Sequence, residues 1–215
     1  MILIVPVLNR YDLLQRMVNS IDHEIDDLLI IDNGGELKKL DTLQAVKRLH
    51  ILGMPSNLGV AASWNLGIKC FPFAKYWTIT SADTVFEAGA LATLAKASRS
   101  DALTLTADFP HYQLFSVGEK LVQEVGLFDE SIYPIYFEDN DYERRVNKAG
   151  FEIVRVGAKT QHDNSSTIQS DEHYSRRNGV TFLSNHSYYK SKCDSEDFSE
   201  GRWNLERVRT NSWHK

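Results

Sequence analysis

The chain has 215 residues, of which 42% are hydrophobic and 25% charged, and its formal net charge is −5 at pH 7. This length can build one good hydrophobic core, and this composition excludes a globally disordered chain. No apolar run approaches the roughly 20 residues that cross a bilayer, and the apolar run at residues 1–6 is too short for a signal peptide. We therefore expect one soluble domain without a transmembrane segment.

The cysteine content indicates the compartment. The chain contains two cysteines, Cys70 and Cys193. Two such distant residues give neither a disulfide framework nor the ligand spacing of a metal site, and this usage fits a reducing environment. We therefore expect a cytoplasmic protein whose contact with a membrane, if it has one, is peripheral.

The first hundred residues alternate apolar runs with segments of helical spacing. Their order predicts a β-α-β-α-β-α-β pattern, which is typical of a mostly parallel sheet with helices on both faces. The predicted strands are residues 2–7, 28–31, 50–52 and 76–80, and the predicted helices are residues 11–18, 37–49 and 60–70.

The second half of the chain loses this regular alternation. We find no internal repeat, linker or low-complexity segment, so a single α/β domain is the simplest architecture. Strands are predicted at residues 102–106, 112–117 and 151–156, and helices at residues 119–125 and 139–148.

Polar residues follow each of the four predicted strands of the first half. They are Asn9, Asp32, Asn57, and Ser81 with Asp83. Each alone is more typical of a helix cap or a turn. Ligands of open α/β sheets bind outside the carboxyl ends of the strands, so four such residues in series favour a binding site. The glycine motifs of P-loop and dinucleotide-binding proteins are missing from the sequence.

Several segments together resemble, in order and spacing, family-2 glycosyltransferases of the GT-A fold. The similarity covers roughly residues 2–165 and implies a GT-A domain at residues 1–172. Within it, residues 1–100 would form the nucleotide-binding half and residues 101–172 the acceptor half. Residues 173–215 would form a C-terminal helical and aromatic extension packed on the same domain. The segments are 6–10 (PVLNR), 30–34 (IIDNG), 57–67 (NLGVAASWNLG), 80–83 (TSAD), 126–130 (GLFDE), 137–145 (FEDNDYERR) and 150–151 (GF).

The resemblance implies a nucleotide-diphosphate sugar as donor, of the UDP or dTDP type, with UDP favoured. Asp32 would accept a hydrogen bond from the base, and Asn57 and Gly59 would shape the loop beside the nucleoside. The residues implied in nucleotide binding are Pro6, Asn9, Asp32, Asn57, Gly59, Asn65, Ser81, Ala82 and Asp83.

Residues 81–83 stand where the family has its Asp-x-Asp metal motif. The resemblance implies that Asp83 and His162 ligate a divalent cation. Mn²⁺ and Mg²⁺ both accept oxygen ligands, and the imidazole favours Mn²⁺. Ser81 replaces the first acid of the motif, which predicts weaker metal binding or altered ribose contacts.

Three acids, Glu138, Asp139 and Asp141, lie at a predicted helix start, where carboxylates also complement the helix dipole. The resemblance implies that Asp139 is the general base of an inverting transfer to an acceptor hydroxyl. Glu138 and Asp141 would orient the acceptor or brace the helix. At 3.6 residues per turn, Glu138 shares a face with Asp141 and Arg145, so Arg145 is expected to pair with one of these two acids.

The C-terminal extension is basic and aromatic. Residues 173–215 contain eight Lys or Arg against five acids, together with Tyr and Trp side chains. This pattern suits a polar helix that packs its aromatics on the core, which we favour, or a surface for an anionic polymer or lipid. The acceptor is therefore open: a glycan, a lipid-linked sugar, or a modified nucleic acid bound through this tail. We hypothesise that the extension forms part of the acceptor side.

Two other functions fit parts of the pattern. A sugar-phosphate nucleotidyltransferase uses a related sheet, but residues 7–10 lack the glycine-rich loop that holds a triphosphate. A catalytically weak or inactive sugar-nucleotide-binding module would explain Ser81. The presence of Asp83, Asp139 and His162 favours the enzyme.

Overall fold

The computed structural model describes residues 1–42, 44–162, 172–195 and 203–211, which form an α/β structure. The first half contains β1 (Ile2–Val7), α1 (Tyr11–Asn19), β2 (Ile25–Asp32), β3 (Val46–Gly53), α2 (Val60–Cys70), β4 (Tyr76–Thr80), β5 (Thr84–Phe86) and α3 (Ala90–Ala97). The second contains β6 (Ala102–Thr106), a 3₁₀ turn (His111–Gln113), β7 (Leu114–Gly118), α4 (Glu119–Val125), α5 (Glu138–Lys148), β8 (Glu152–Val156), β9 (Thr160–His162), α6 (Glu172–Ser195) and α7 (Leu205–Asn211).

The central sheet has seven strands in the order β3-β2-β1-β4-β7-β6-β8. Strand β7 runs antiparallel to both of its neighbours, and the other strand pairs of this sheet are parallel. Strands β5 and β9 pair separately in an antiparallel ribbon. The predicted single α/β domain with a mixed, mostly parallel sheet is confirmed.

Helices cover both faces of the sheet, because its strands are apolar on both sides. In β1, Ile4 points into one core together with residues of α2, α4 and α5. Its neighbours Leu3 and Val5 point into the other core, against α1 and α3. All three side chains are fully buried.

The predicted helix at residues 37–49 is wrong. Strand β3 begins at Val46, and residues 38–42 have no regular secondary structure. Side chains from other elements bind the backbone there: the Leu37 amide donates to Asp32 (2.8 Å), and the Asp41 amide donates to Gln15 (3.0 Å). These contacts replace the local hydrogen bonds of a helix, because side chains can compete for the same backbone groups.

An aromatic cluster joins the two halves of the domain. Trp64 of α2 packs edge-on against Phe128, with 4.8 Å between ring centroids. Phe128 in turn stacks on Tyr142 of α5 at 4.1 Å. All three residues belong to one buried core, so α2 and α5 are held in a fixed relation.

The described parts of the C-terminal extension pack on this domain. Leu205 of α7 is fully buried, and Arg209 donates to the backbone carbonyls of Pro72 (2.6 Å) and Ala74 (2.8 Å). Aromatic residues of α6 contact Phe137 at the start of α5. These contacts join α6 to the start of α5. No helix within the described ranges is long and apolar enough to cross a membrane.

Candidate active site

The carboxyl ends of the parallel strands meet along one edge of the sheet, where the predicted donor residues lie. The Asn33 amide donates to the Val7 carbonyl (2.8 Å), which ties the end of β2 to the end of β1. Pro6 lies beside Ile31 in the same register. Asn9 follows directly after β1 and is half-buried. The structure thus brings the first two predicted strand ends together.

Asp32 is buried at the end of β2, and its carboxylate organises the following turn. Its Oδ1 accepts from the Tyr11 hydroxyl (2.7 Å) and from the amides of Gly34 (3.2 Å) and Gly35 (3.0 Å). Its Oδ2 accepts from the Leu37 amide (2.8 Å). Burial and the hydrogen bond to Asp32 raise the pKa of Tyr11 to about 12, so this phenol remains a neutral donor at physiological pH.

The loop before α2 is shaped by Asn33 and Asn57. The Asn57 Oδ1 accepts from the Gly59 amide (2.9 Å), which closes a tight turn. Asn33 accepts from the Leu58 amide (3.0 Å) and donates to the Ser63 hydroxyl (2.9 Å), so the loop is fixed to the end of β2. The turn pattern at residues 32–35 predicts a loop at Asn33, but it does not reveal that the side chain binds Leu58 and Ser63.

Asn65, which the resemblance implies in nucleotide binding, has its side chain in the interior of the protein. Its side-chain amide donates to the Phe128 carbonyl (2.8 Å) and to Glu130 (2.9 Å), and its Oδ1 accepts from the Phe128 amide (2.9 Å). Asn65 is only 1% exposed. Its hydrogen-bonding atoms therefore fix the loop at residues 126–130 to α2.

The predicted metal ligands Asp83 and His162 lie next to each other. The His162 Nε2 is 3.0 Å from the Asp83 Oδ1, and both side chains are 14% exposed. The ribbon of β5 and β9 creates this contact, because Thr84 pairs with His162 in register. Within the described residues no group of three or more His, Cys, Asp or Glu side chains could hold a metal ion.

Asp83 and His162 nevertheless fit a divalent cation of the Mn²⁺ or Mg²⁺ type. Such cations are held by one or two protein ligands, with phosphate oxygens and water completing the shell. One carboxylate oxygen and one imidazole nitrogen at the strand ends offer this incomplete set. These two side chains therefore suit a cation whose remaining ligands are substrate oxygens and water.

Ser81 and Ala82 connect the end of β4 to Asp83. The Ser81 amide donates to the Gln113 carbonyl (3.1 Å), which also accepts from the hydroxyls of Thr80 (2.7 Å) and Thr84 (3.2 Å). Ala82 is half-buried and packs against the core on the α1 side. The position of the missing first acid is thus a well-ordered backbone turn.

Asp139 lies in the first turn of α5 and is half-buried. Its Oδ1 accepts from the Asn140 amide (2.8 Å). Burial raises the pKa of Asp139 above its ordinary value, against the lowering effect of backbone amides. A carboxylate with a raised pKa is a stronger base, as general base catalysis requires.

Glu138 is 5% exposed, and its Oε2 has no hydrogen-bond partner in the described part of the chain. Burial, followed by the negative charge of Asp139, raises the pKa of Glu138 from its ordinary value of 4.5 to about 8. Glu138 is therefore largely protonated at neutral pH.

Asp141 lies deeper and is fully buried. The Arg145 Nε donates to its Oδ2 (2.8 Å). Of the two acids expected to pair with Arg145, it is therefore Asp141 that does so. The Lys192 ammonium is 2.7 Å from the Asp141 Oδ1, which is an ion pair and not a directed hydrogen bond. Asp141 therefore braces the helix and does not face solvent.

The turn that precedes α5 has an unusual backbone. Tyr136 and Phe137 both adopt the left-handed region, with φ of 77° and 79°. Two consecutive bulky residues in this region are strained, and such strain is found at functional sites where the surroundings enforce it. The sequence contains no glycine or asparagine here that would have predicted this geometry.

The 3₁₀ turn at residues 111–113 contacts the end of β4 and lies near the charge of Asp139. Tyr112 is close enough to Asp139 for the carboxylate charge to contribute to its raised pKa, after burial as the main cause. The next residue, Gln113, binds Ser81 through its carbonyl oxygen. The turn at residues 111–113 therefore contacts the strand end that leads to Asp83.

The mixed, mostly parallel sheet with helices on both faces and polar residues after its strands is the arrangement expected of a GT-A glycosyltransferase. The family model described as "Glycosyl transferase family 2" matches residues 2–158. The chain belongs to this family. No curated protein matches the sequence.

Solved glycosyltransferase structures have a similar fold at low sequence identity. The mannosyltransferase PcManGT from Pyrobaculum calidifontis, in complex with GDP-Man and Mn²⁺, is 14% identical, with a TM-score of 0.55. The similarity covers 72% of this chain and 53% of that chain. This chain thus spans about half of the mannosyltransferase.

Two further structures show the same likeness. GalNAc-T7 with UDP, GalNAc and Mn²⁺ is 10% identical over 75% of this chain and 43% of that chain, with a TM-score of 0.57. The catalytic domain of Drosophila β1,4-galactosyltransferase 7 in complex with xylobiose is 14% identical, with a TM-score of 0.53. That similarity covers 100% of this chain and 81% of that chain.

Proposed function

We propose that the protein transfers a sugar from a nucleotide-diphosphate sugar, of the UDP or dTDP type, to an acceptor hydroxyl with inversion. The observation that carries this proposal is the contact of Asp83 with His162 (3.0 Å), beside the end of β4 in the parallel part of the sheet. Two similar structures hold Mn²⁺ together with GDP-Man or with UDP and GalNAc, which supports a nucleotide-sugar donor.

Asp83 and His162 would hold Mn²⁺ or Mg²⁺, and Mn²⁺ suits the imidazole better. When bound, the cation neutralises the negative charge that develops on the departing diphosphate. The residues at the ends of β1, β2 and β4 would bind the nucleoside around it. The turn closed by Asp32 and the loop closed by Asn57 are already formed in the structure, which supports this part of the proposal.

The Asp32 carboxylate already accepts four hydrogen bonds, three from the loop and one from Tyr11. It would bind the base only through additional acceptor capacity. A carboxylate offers about four lone-pair sites, so this capacity is small. Backbone groups of the turn at residues 33–37 are the stronger candidates for reading the base. We retain Asp32 as the residue that shapes this turn.

Asp139 would take the proton from the acceptor hydroxyl while that oxygen attacks the anomeric carbon. An inverting transfer needs one carboxylate on the face of the sugar opposite the diphosphate. Glu138 remains protonated beside it, so the two acids do not compete as bases at neutral pH. Glu138 would then donate or accept a hydrogen bond within the acceptor site.

A sugar-nucleotide-binding module without turnover is the second candidate, and Ser81 in place of an acid favours it. Hydrolysis of UDP-glucose, UDP-N-acetylglucosamine and GDP-mannose, measured as release of nucleoside diphosphate with and without Mn²⁺, separates the two. We expect Mn²⁺-dependent release from at least one UDP-sugar. Tight binding of the nucleotides without release from any donor would support the binding module.

The metal role has its own test. We expect Asp83→Asn to abolish the gain in UDP affinity that Mn²⁺ provides, so the ratio of the two dissociation constants falls to about one. Asp101→Asn, at an exposed acid, is the matched control. A Mn²⁺ effect that persists in Asp83→Asn would contradict the assignment.

A further inference from the structure

A buried lysine joins the C-terminal helix to the acceptor side. The Lys192 ammonium on α6 is 2.7 Å from the Asp129 Oδ2 and 2.7 Å from the Asp141 Oδ1. Asp129 lies in the loop before α5, and Asp141 lies in the first turn of that helix. Lys192 is 5% exposed, so one cation links three segments out of contact with solvent.

The charges of this network are balanced. Arg145 pairs with Asp141, so two cations face two carboxylates. Burial opposes ionisation of Asp129, but hydrogen bonds from Lys192 and from the Ser131 amide outweigh it and lower the pKa of Asp129. Removal of either cation would therefore leave a buried carboxylate without compensation.

Other contacts of α6 converge on the strained turn before α5. The Asn185 side chain donates to the Ile135 carbonyl (2.9 Å). The Phe182 ring packs on Tyr136 at 5.4 Å and on Phe137 at 5.0 Å between centroids. Helix α6 thus holds the backbone of the turn that leads directly into Glu138 and Asp139.

We propose that Lys192 is a positioning residue for glycosyl transfer, which fixes Asp139 by holding Asp129 and Asp141 and thereby the start of α5. The proposal rests on the proposed function for the role of Asp139. It makes α6 a part of the acceptor side that the family match at residues 2–158 does not include.

The chemistry of the network supports positioning more than stability. A buried ion pair is often no more stabilising than well-packed apolar residues of the same volume. Two short contacts from one ammonium do fix the distance between Asp129 and Asp141, which apolar packing would not. The proposed glycosyl transfer needs such precision, because a shift of about 1 Å in a reacting group can lower the rate about 100-fold.

The test compares Lys192→Met with Lys192→Arg and with Lys190→Met, an exposed lysine on the same helix. We expect Lys192→Met to lower kcat for hydrolysis of the preferred sugar nucleotide at least tenfold, with KM within threefold. Lys192→Arg keeps the charge and should recover most of kcat, and Lys190→Met should match the wild type. A folded Lys192→Met with unchanged kcat, or with kcat and KM altered alike, would overturn the proposal.

A milder variant keeps the test decisive if Lys192→Met does not fold. Asn185→Ala removes one hydrogen bond from α6 to the turn and should lower kcat two- to fivefold at constant KM; an unchanged kcat would overturn the proposal.

Hydrogen exchange separates this inference from the proposed function. If the wild type hydrolyses no donor, the proposed function fails, and the amides of residues 136–140 become the readout. They should exchange at least tenfold faster in Lys192→Met than in Lys190→Met; equal rates would refute the positioning role.

Discussion

The donor side and the acceptor side of this site are built in opposite ways. On the donor side, the side-chain oxygens of Asp32, Asn33 and Asn57 accept hydrogen bonds from backbone amides of their own or a neighbouring loop. On the acceptor side, Glu138 is buried with an oxygen that has no partner in the described chain, and Phe137 is held in the left-handed region.

This difference separates binding from chemistry. A loop that is held by internal hydrogen bonds is preformed, so it loses little conformational entropy when a nucleotide binds. A buried carboxyl with a raised pKa and a strained turn cost stability, and proteins retain such features where they serve a reaction. The following changes break or sharpen the contrast, beginning with the largest expected effect.

Asp139→Asn removes the proposed base with little change in shape. We expect release of nucleoside diphosphate from the preferred sugar nucleotide to fall by about 10²–10⁴-fold, the range of general base catalysis, while nucleotide affinity stays within a few-fold. Asn140→Ala, at the exposed neighbour in the same turn, is the control and should retain activity. Near wild-type turnover in Asp139→Asn would assign the base elsewhere.

Asp141→Asn breaks the buried ion pairs with Arg145 and Lys192. We expect the free energy of unfolding to fall by about 3–5 kcal/mol, because buried cations lose their compensation. Asp101→Asn breaks a surface ion pair with Arg99 and should change the free energy of unfolding by less than about 1 kcal/mol. Urea denaturation measures both, and equal effects would contradict the assignment of Asp141 to a buried brace.

Glu138→Gln tests the buried carboxyl through pH. In the wild type the folded pKa of about 8 exceeds the unfolded value of 4.5, so the folded state binds an extra proton between these values and loses stability as pH rises. The glutamine variant lacks this loss. The unfolding free energy of the variant minus that of the wild type should therefore increase by about 2–3 kcal/mol between pH 5 and pH 7. Parallel stability curves in urea would show that Glu138 ionises normally.

Gly59→Ala tests the donor loop. Gly59 has a φ of +80°, and a Cβ there would lie 2.8 Å from the Tyr133 ring. We expect a loss of about 1–2 kcal/mol in unfolding free energy together with weaker nucleotide binding. Gly157→Ala is the control, because a Cβ there meets nothing within 4 Å. Loss of stability with unchanged nucleotide affinity would separate this loop from the donor site.

Much of the sheet could be predicted from the sequence because its strands are local apolar runs. The failure at residues 37–49 has a physical cause: helical spacing of Leu37 and Leu40 was present, but the Asp32 carboxylate and Gln15 bind the backbone instead. Only tertiary structure decides between these partners, so periodicity alone cannot.

The site was predicted unevenly for a similar reason. The resemblance named Asp83 and His162, while their contact depends on pairing of two three-residue strands that are too short to leave a pattern. The ion pairs of Lys192 join residues more than fifty positions apart and leave no local trace at all. The contact of the Asn65 side chain with the Phe128 backbone could not be predicted either, because its motif indicates a segment and not the direction of one side chain.

One paired measurement tests the central claim that donor binding and chemistry reside in different residues. In a single preparation of each variant, UDP affinity with Mn²⁺ and the turnover at saturating sugar nucleotide are measured for Asp83→Asn and Asp139→Asn. We predict that Asp83→Asn loses Mn²⁺-dependent affinity, whereas Asp139→Asn keeps that affinity and loses turnover. Retained turnover in Asp139→Asn, or an equal loss of affinity in both variants, would contradict the account.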